Sequence, residues 1–393
     1  MNRNGCSRWA GIRKSCGEPN RLLIRSASNA YFPQLMSVIS IPDLRQPIDD
    51  VVKSLWDDFL VDVETPEDLA KVRRKPTVLA KLQGLSDEEV SAAIKRIRKG
   101  EVLTDRPVKQ VEFEVLSEAK EELGSDVPGG HFFARSLPKA FWDGPWMKSV
   151  DRVVLVHRLR EVIAQVGFTR FESAGPDIEG ELAFEVERAP LAIDLSWLPA
   201  IENRGEGIFL LFNADLIKAW LEKPSVIARG LRLAAGFEKW KQERESNHDF
   251  PGLPYYLLHS LSHLLLTAIS LDCGYPASSL RERVYAARDH YGLLIYTGSS
   301  DSEGTLGGLV EAGRGIKRYM QLALEHSMLC SNDPICAHHA PSGPDHEPLL
   351  GSACHGCLLV AETSCEQHNA FLDRSLVVQT IEALGSEFFE TVV

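Results

Sequence analysis

The sequence predicts a mixed α/β chain with a helix-rich middle and a C-terminal α/β domain organised by a four-cysteine site. Two observations predict it. Helical periodicity dominates from about residue 47 to 123, and helical and strand-like stretches alternate after that. In addition, five of the eight cysteines fall between Cys330 and Cys365. Hydrophobic content of 44% and charged content of 25% over 393 residues are those of an ordinary globular protein with real cores.

The elements follow in order. Residues 1–45 form an N-terminal segment. It carries Cys6 and Cys16, a pair short of the four ligands of a structural zinc site. The pair either binds no metal or is completed by cysteines outside this chain, as the remnant of a zinc ribbon would be. Residues 31–45 read as a strand or buried extended segment. Residues 46–124 are a helical region with a basic face. In it Val51, Val52, Leu55, Trp56, Phe59 and Leu60 recur at helical spacing, and Ser86 with Glu89 forms a capping box.

Residues 125–250 are mixed α/β. The expected elements are a loop at 125–150, a strand from Val153, a short helix from Arg158 to Val166 and a turn at Gly167-Phe168. Strands follow at Leu182 to Glu185 and Gly207 to Phe212, then a charged helix over 214–246. Residues 251–393 form the last unit. It opens with an apolar helix from Tyr255 to Ser270, then a helix from Ser279 to about His290 and a strand from Gly292. A helix from about Leu309 to Leu329, the cysteine-rich loop and a helix from Asn369 onward complete it.

The formal net charge of -12 argues against gripping DNA by bulk electrostatics. The charge is uneven, however: Lys71 to Lys109 holds eleven basic and five acidic residues. Charge runs commonly form solvated faces. If this one meets nucleic acid, the contacts are Arg73, Arg74, Lys75, Lys95, Arg96, Arg98 and Lys99. The start lacks the apolar core of a secretory signal, and the longest apolar run is interrupted by His259 and His263. A cytoplasmic protein without membrane partners is expected. In that compartment clustered cysteines point to metal rather than disulfides.

The cysteine run supplies that metal site. Cys330 and Cys336, then Cys354-His-Gly-Cys357, offer four soft thiolates, and Pro334 and Gly356 give the turns that let them face one ion. Tetrahedral Zn2+ accepts such a set, and four thiolates leave no open position, so the role is structural. Cys365, His338, His339 and His355 are alternative ligands.

Three further motifs carry weaker signals. His259-Ser-Leu-Ser-His263 places two imidazoles on one helix face, but without the Glu of an HExxH site; polar positions on a core helix are the plainer reading. The Gly-rich stretch from Tyr296 to Leu309 follows a strand but lacks the GKT or GKS ending of a P-loop. The charges in Trp197 to Phe209 suit an ion-pair network beside a strand better than a catalytic carboxylate pair. A metal-dependent hydrolase or nuclease remains as the alternative function. It would use His259, His263, Asp301 and Glu303 around an open ion.

These pieces resemble a known family. His259 to His263, Ser279 to Tyr285, Asp301 to Gly308, Ala353 to Cys357 and Glu362 to Glu366 are similar to the C-terminal MZB domain, the zinc-binding domain of MrfA-type DNA-repair helicases. Arg25 to Pro33, Gly167 to Arg170 and Trp197 to Phe209 resemble the DrmB family of the DISARM phage-defence system, over roughly residues 5–390. The resemblance implies a non-catalytic subunit without ATPase motifs that pairs with a superfamily 2 helicase and helps bind DNA with a single-stranded end. Carried over by position, the zinc ligands are Cys330, Cys336, Cys354 and Cys357, and residues 251–393 are the MZB-like domain. Family members carry a longer N-terminal part with further cysteines, so the resemblance implies that this chain begins within that pattern.

Overall fold

The computed structural model describes residues 31–42, 51–83, 85–98, 107–170, 178, 189–191, 197–244, 246, 248–298, 308–343 and 347–390. Cys6, Cys16 and the strand expected at Leu182 to Glu185 lie outside them. The chain is mixed α/β around an antiparallel sheet, as the alternating patterns predict.

A helical cluster comes first after strand β1 (Tyr31–Ile39). Helices α1 (Pro66–Arg73), α2 (Pro76–Lys81) and α3 (Asp87–Arg98) pack with residues 51–63 on a core of their own, including Val52, Leu55, Leu60, Leu69, Val78, Leu82, Val90 and Ile94. The predicted capping box opens α3: the Ser86 amide donates to Glu89 at 2.8 Å, and the Glu89 amide to the Ser86 hydroxyl at 3.2 Å. Ser86→Ala is expected to cost about 1 kcal/mol, measured as an earlier urea midpoint for this cluster. An unchanged midpoint would show that the cap does not hold the helix.

Helix α4 (Val108–Ser117) leads into the sheet of β2 (Glu122–Gly124), β3 (Phe132–Ser136), β4 (Val150–Arg170), β5 (Ala200–Phe212), β6 (Leu280–Tyr285) and β7 (Gly292–Thr297), with the short helix α5 (Lys139–Trp142) between β3 and β4. The strand order is β2-β3-β4-β5-β7-β6, and β1 pairs with β4 as well. Along one edge of β4, β3 covers the first half and β1 the second. The side chains alternate between faces. Val153, Leu155, Ile208, Leu210, Leu293 and Ile295 face the main core. Val154, Val156, Phe209, Leu294 and Tyr296 face a smaller one under Phe113 and Leu116 of α4.

The main core is filled by α6 (Ala214–Leu221), α7 (Pro224–Arg244), α8 (Leu253–Cys273), α9 (Gly308–Arg314) and α10 (Ile316–Ser327). Helix α8 is buried almost all round, and Gly274 ends it in the left-handed conformation. The helix expected at 214–246 is two helices, the second starting at Pro224, which suits a first helical position. The helix expected at 309–329 is likewise divided at Gly315.

Several expected elements differ. Arg158 to Val166 is strand, not helix, and Gly167-Phe168 continues it rather than turning. Its Arg, Glu, Ala and Gln favour helix locally, but ladders to β1 and β5 on both edges override that preference. Strand β3 and the short helix α5 fall within the loop expected at 125–150, and β2 lies just before it. Residues 280–285 are strand β6. The sequence predicts a helix here, but the strand is buried along almost its whole length. Glu282 turns toward α8, while Arg281 and Arg283 reach Glu161 and Glu112 on the other face. The helix expected from Asn369 is absent among the described residues. His368, Asn369 and Phe371 have positive φ, and only one 3-10 turn, Arg374–Leu376, follows.

Candidate metal centre

Two loops after α10 carry the four predicted cysteines. Sγ of Cys330 is 3.4 Å from that of Cys354, and Cys357 is 3.7 Å from both Cys336 and Cys354. All four sulfurs lie within 4.8 Å of one another. A tetrahedron of Zn–S bonds of about 2.3 Å has edges of about 3.8 Å. The arrangement therefore fits a structural Zn2+ site, with every position taken by sulfur.

Amide donors meet two of the sulfurs. The Asn332 amide donates to Cys330 Sγ at 3.4 Å and the Gly356 amide to Cys354 Sγ at 3.3 Å, joined by the Asn332 side chain at 3.3 Å. A Cβ on Gly356 would stand 2.7 Å from the Ser331 hydroxyl, so a larger residue here would have to turn that side chain aside. The thiol contact from Cys336, followed by a backbone bond and the charge of Arg374, lowers the Cys357 thiol to about 6 against burial. Burial pushes Cys330 up to about 11, and the contact with Cys357 pushes Cys336 higher still. A cation bound by all four as thiolates would displace the protons the thiols otherwise hold.

A buried charged frame holds these loops. Arg374, fully buried, donates to both oxygens of Asp333 at 2.9 and 3.0 Å and to the Ser327 carbonyl at 2.8 Å. Asp333 in turn accepts from the Cys330 amide at 3.1 Å. Next to Arg374, Asp373 binds Arg229 of α7 at 2.6 Å and the amide of Ser352 at 3.0 Å. The Asp373 amide donates to Ser260 of α8 at 2.8 Å. The cysteine loops are thereby tied to both long helices.

His259 and His263 do lie on one face of α8, but they are more than polar positions in a core. Glu282 of β6 and Cys365 close on them, and the four form a second group of buried ligand atoms within 4.8 Å. Sequence reasoning missed Glu282, which fell within the helix expected from Ser279, and treated Cys365 as a substitute in the first site. The signal available was a fifth clustered cysteine beside a His-x3-His pair. Asp301 and Glu303 lie outside the described residues, and His259 and His263 have no exposed surface to offer an open ion. Of the other alternative ligands, His338 bonds to the Pro334 carbonyl at 2.7 Å, His339 to the Glu347 carbonyl at 3.1 Å, and His355 is exposed.

The seven basic candidates are divided. Arg73 bonds to Asp87 and to the carbonyls of Leu82 and Leu85, so it staples α1 to the start of α3. Arg98 directs its guanidinium to the carbonyls of Val61 and Val63 at 2.9 Å each. Arg74 and Lys95 are exposed, as is Lys75, whose ammonium sits 4.9 Å from the Phe59 ring. Arg96 is in the last turn of α3, and Lys99 lies outside the described residues. Glu202 in the 197–209 stretch pairs with Arg160 at 2.7 Å and Arg204 at 2.6 Å, an ion-pair network across strands β4 and β5. Among the described residues, no helix is long and apolar enough to cross a membrane.

A chain whose C-terminal loops converge four thiolates in this way carries a zinc-binding domain, and residues 261–358 match the MZB family, described as the MrfA Zn-binding domain. Over most of its length the chain is similar to the DISARM protein DrmB of Bacillus paralicheniformis. The identity is 36% over 397 residues, covering 96% of this chain and 68% of that relative. The chain belongs to the DrmB family.

Proposed function

We propose that this chain is a non-catalytic, DNA-binding accessory subunit that pairs with a superfamily 2 helicase in DISARM-type anti-phage defence. The observation that carries the reading is the similarity to DISARM protein DrmB across 96% of the chain. In this reading Cys330, Cys336, Cys354 and Cys357 hold one structural Zn2+. The ion fastens two loops that have little regular structure, and with four protein ligands it offers no position for substrate. The DNA partner carries a single-stranded end. Of the seven candidate cations, Arg74, Lys75 and Lys95 are exposed and are the ones proposed to meet its phosphates.

Co-expression with the helicase encoded beside it tests the pairing. A stable complex on size-exclusion chromatography is expected; a soluble chain that never associates would overturn it. Salt titration tests the DNA contact. Three phosphate contacts give a log-log slope of roughly -2 to -3, and replacing Arg74, Lys75 and Lys95 with alanine is expected to reduce it by about one per contact. An unchanged slope would remove this face from the interface.

A further inference from the structure

We infer that His259, His263, Glu282 and Cys365 form a second metal site, holding one Zn2+ that pins helix α8 to strand β6 and the C-terminal loop. The inference does not depend on the proposed role in defence. Two of these residues, His263 and Glu282, fall within the MZB match and two fall outside it.

The geometry is that of four donors turned inward. His259 Nε2 is 2.9 Å from Glu282 Oε1 and 3.2 Å from Cys365 Sγ, and His263 Nε2 is 3.2 Å from Glu282 Oε1. With zinc bonds of about 2.0–2.3 Å, tetrahedral N···O and N···S edges are about 3.4–3.6 Å. An ion would open the cluster by only a few tenths of an ångström.

The protons make the stronger case. His259 Nδ1 faces the Phe371 carbonyl at 3.3 Å and His263 Nδ1 the Leu358 carbonyl at 2.8 Å. A carbonyl only accepts, so Nδ1 carries the proton in each ring, and a neutral ring then presents an Nε2 lone pair to the centre. The other two members are acceptors already supplied from outside. Glu282 takes the Ser262 hydroxyl and the Glu366 amide, the latter at 3.2 Å; Cys365 takes the amides of Gln367 at 3.4 Å and Asn369 at 3.1 Å. Four lone-pair donors thus converge where both histidines and the Glu282 side chain have no exposure. A divalent cation removes the conflict. With two neutral imidazoles, one carboxylate and one thiolate, the filled site is also uncharged overall, as deep burial favours.

Two features match known metal-site construction. Carbonyls that hold the far nitrogen of ligating histidines orient the rings for metal. Moreover, the contact from the amide two residues on, Gln367 to Cys365, repeats those of Asn332 to Cys330 and Gly356 to Cys354 in the four-cysteine cluster. The mixed nitrogen, sulfur and oxygen set suits zinc, and four protein ligands make the site structural.

The test is metal analysis and zinc X-ray absorption on the purified full chain, with Cys6 and Cys16 replaced by serine so that they add nothing. Two zinc ions per chain are expected, with an averaged first shell of about five sulfurs to three nitrogen or oxygen atoms. One zinc with a sulfur-only shell, in a folded chain, would overturn the second site. Its two histidines would then hold extra protons in place of the ion. One zinc with a mostly nitrogen and oxygen shell would uphold this site and refute the four-cysteine one. As a second readout, Cys365→Ser is expected to lose one zinc and keep the sulfur-only shell. Should that variant not fold, the unsubstituted cluster's absorption spectrum still decides.

Discussion

Cys354→Ser is expected to unfold the C-terminal part of the chain. Structural zinc contributes apparent binding free energies of roughly 10–16 kcal/mol in zinc-finger peptides, as large as the whole stability of a typical domain, about 5–15 kcal/mol. The reason is local. The described residues of 328–373 hold turns, bends and one isolated bridge, Leu350 to Leu372, but no helix or strand, so the ion stands in for regular hydrogen bonding. Losing one sulfur also leaves the remaining three crowded without a cation. Thermal melting followed by near-ultraviolet circular dichroism, with released zinc counted by a chromophoric chelator, measures this. A folded Cys354→Ser protein that melts with the parent would sink the structural role.

The second large effect is expected at Asp373. This carboxylate is fully buried and takes Arg229, the amides of Ser352 and Ser375 and the Ser375 hydroxyl. Removing one partner of a buried pair strands the other charge, at a cost of about 3–5 kcal/mol. Asp373→Ala should therefore lower the urea midpoint sharply. Replacing Arg229 and Asp373 together by apolar residues should recover much of the loss. If the double variant is as unstable as the single one, the stranded charge is not the cause.

The same pair sets a pH dependence. Burial pushes the Asp373 carboxyl up, but Arg229 and the surrounding hydrogen bonds outweigh it and hold the group below its ordinary 3.8. A depressed carboxylate contributes stability that is complete above its unfolded value and lost as the pH falls through the folded value. Stability from this pair is therefore level from pH 7 to about 5 and falls below about 4. Asp373→Asn should flatten that acid limb, as read from denaturant titrations across the range.

Much of the four-cysteine cluster was legible in the sequence because its ligands are close along the chain. Cys354 and Cys357 are three residues apart, and Pro334 and Gly356 mark the turns around them, so local chemistry defines the cluster. The apolar helix through His259 was legible for a similar reason: a long, mostly apolar run between prolines and a glycine has few alternatives. The second cluster was not, because Glu282 reaches the histidines only after β6 pairs with β7 and packs on α8. Nor was the fate of Arg73 and Arg98, cations by composition that the packed helices turn into caps for backbone carbonyls.

By itself, then, the sequence determined the mixed α/β class, the family and the four thiolates, all of which rest on residue type and short spacing. The tertiary structure alone decided that Arg158 to Val166 is strand, that the charges of β6 are buried in pairs, and that Cys365 joins two histidines instead of the other cysteines. Those outcomes depend on partners more than a hundred residues away for Arg281, Arg283 and Cys365, and long-range pairing outweighs local preference wherever burial forces each polar group to find a partner.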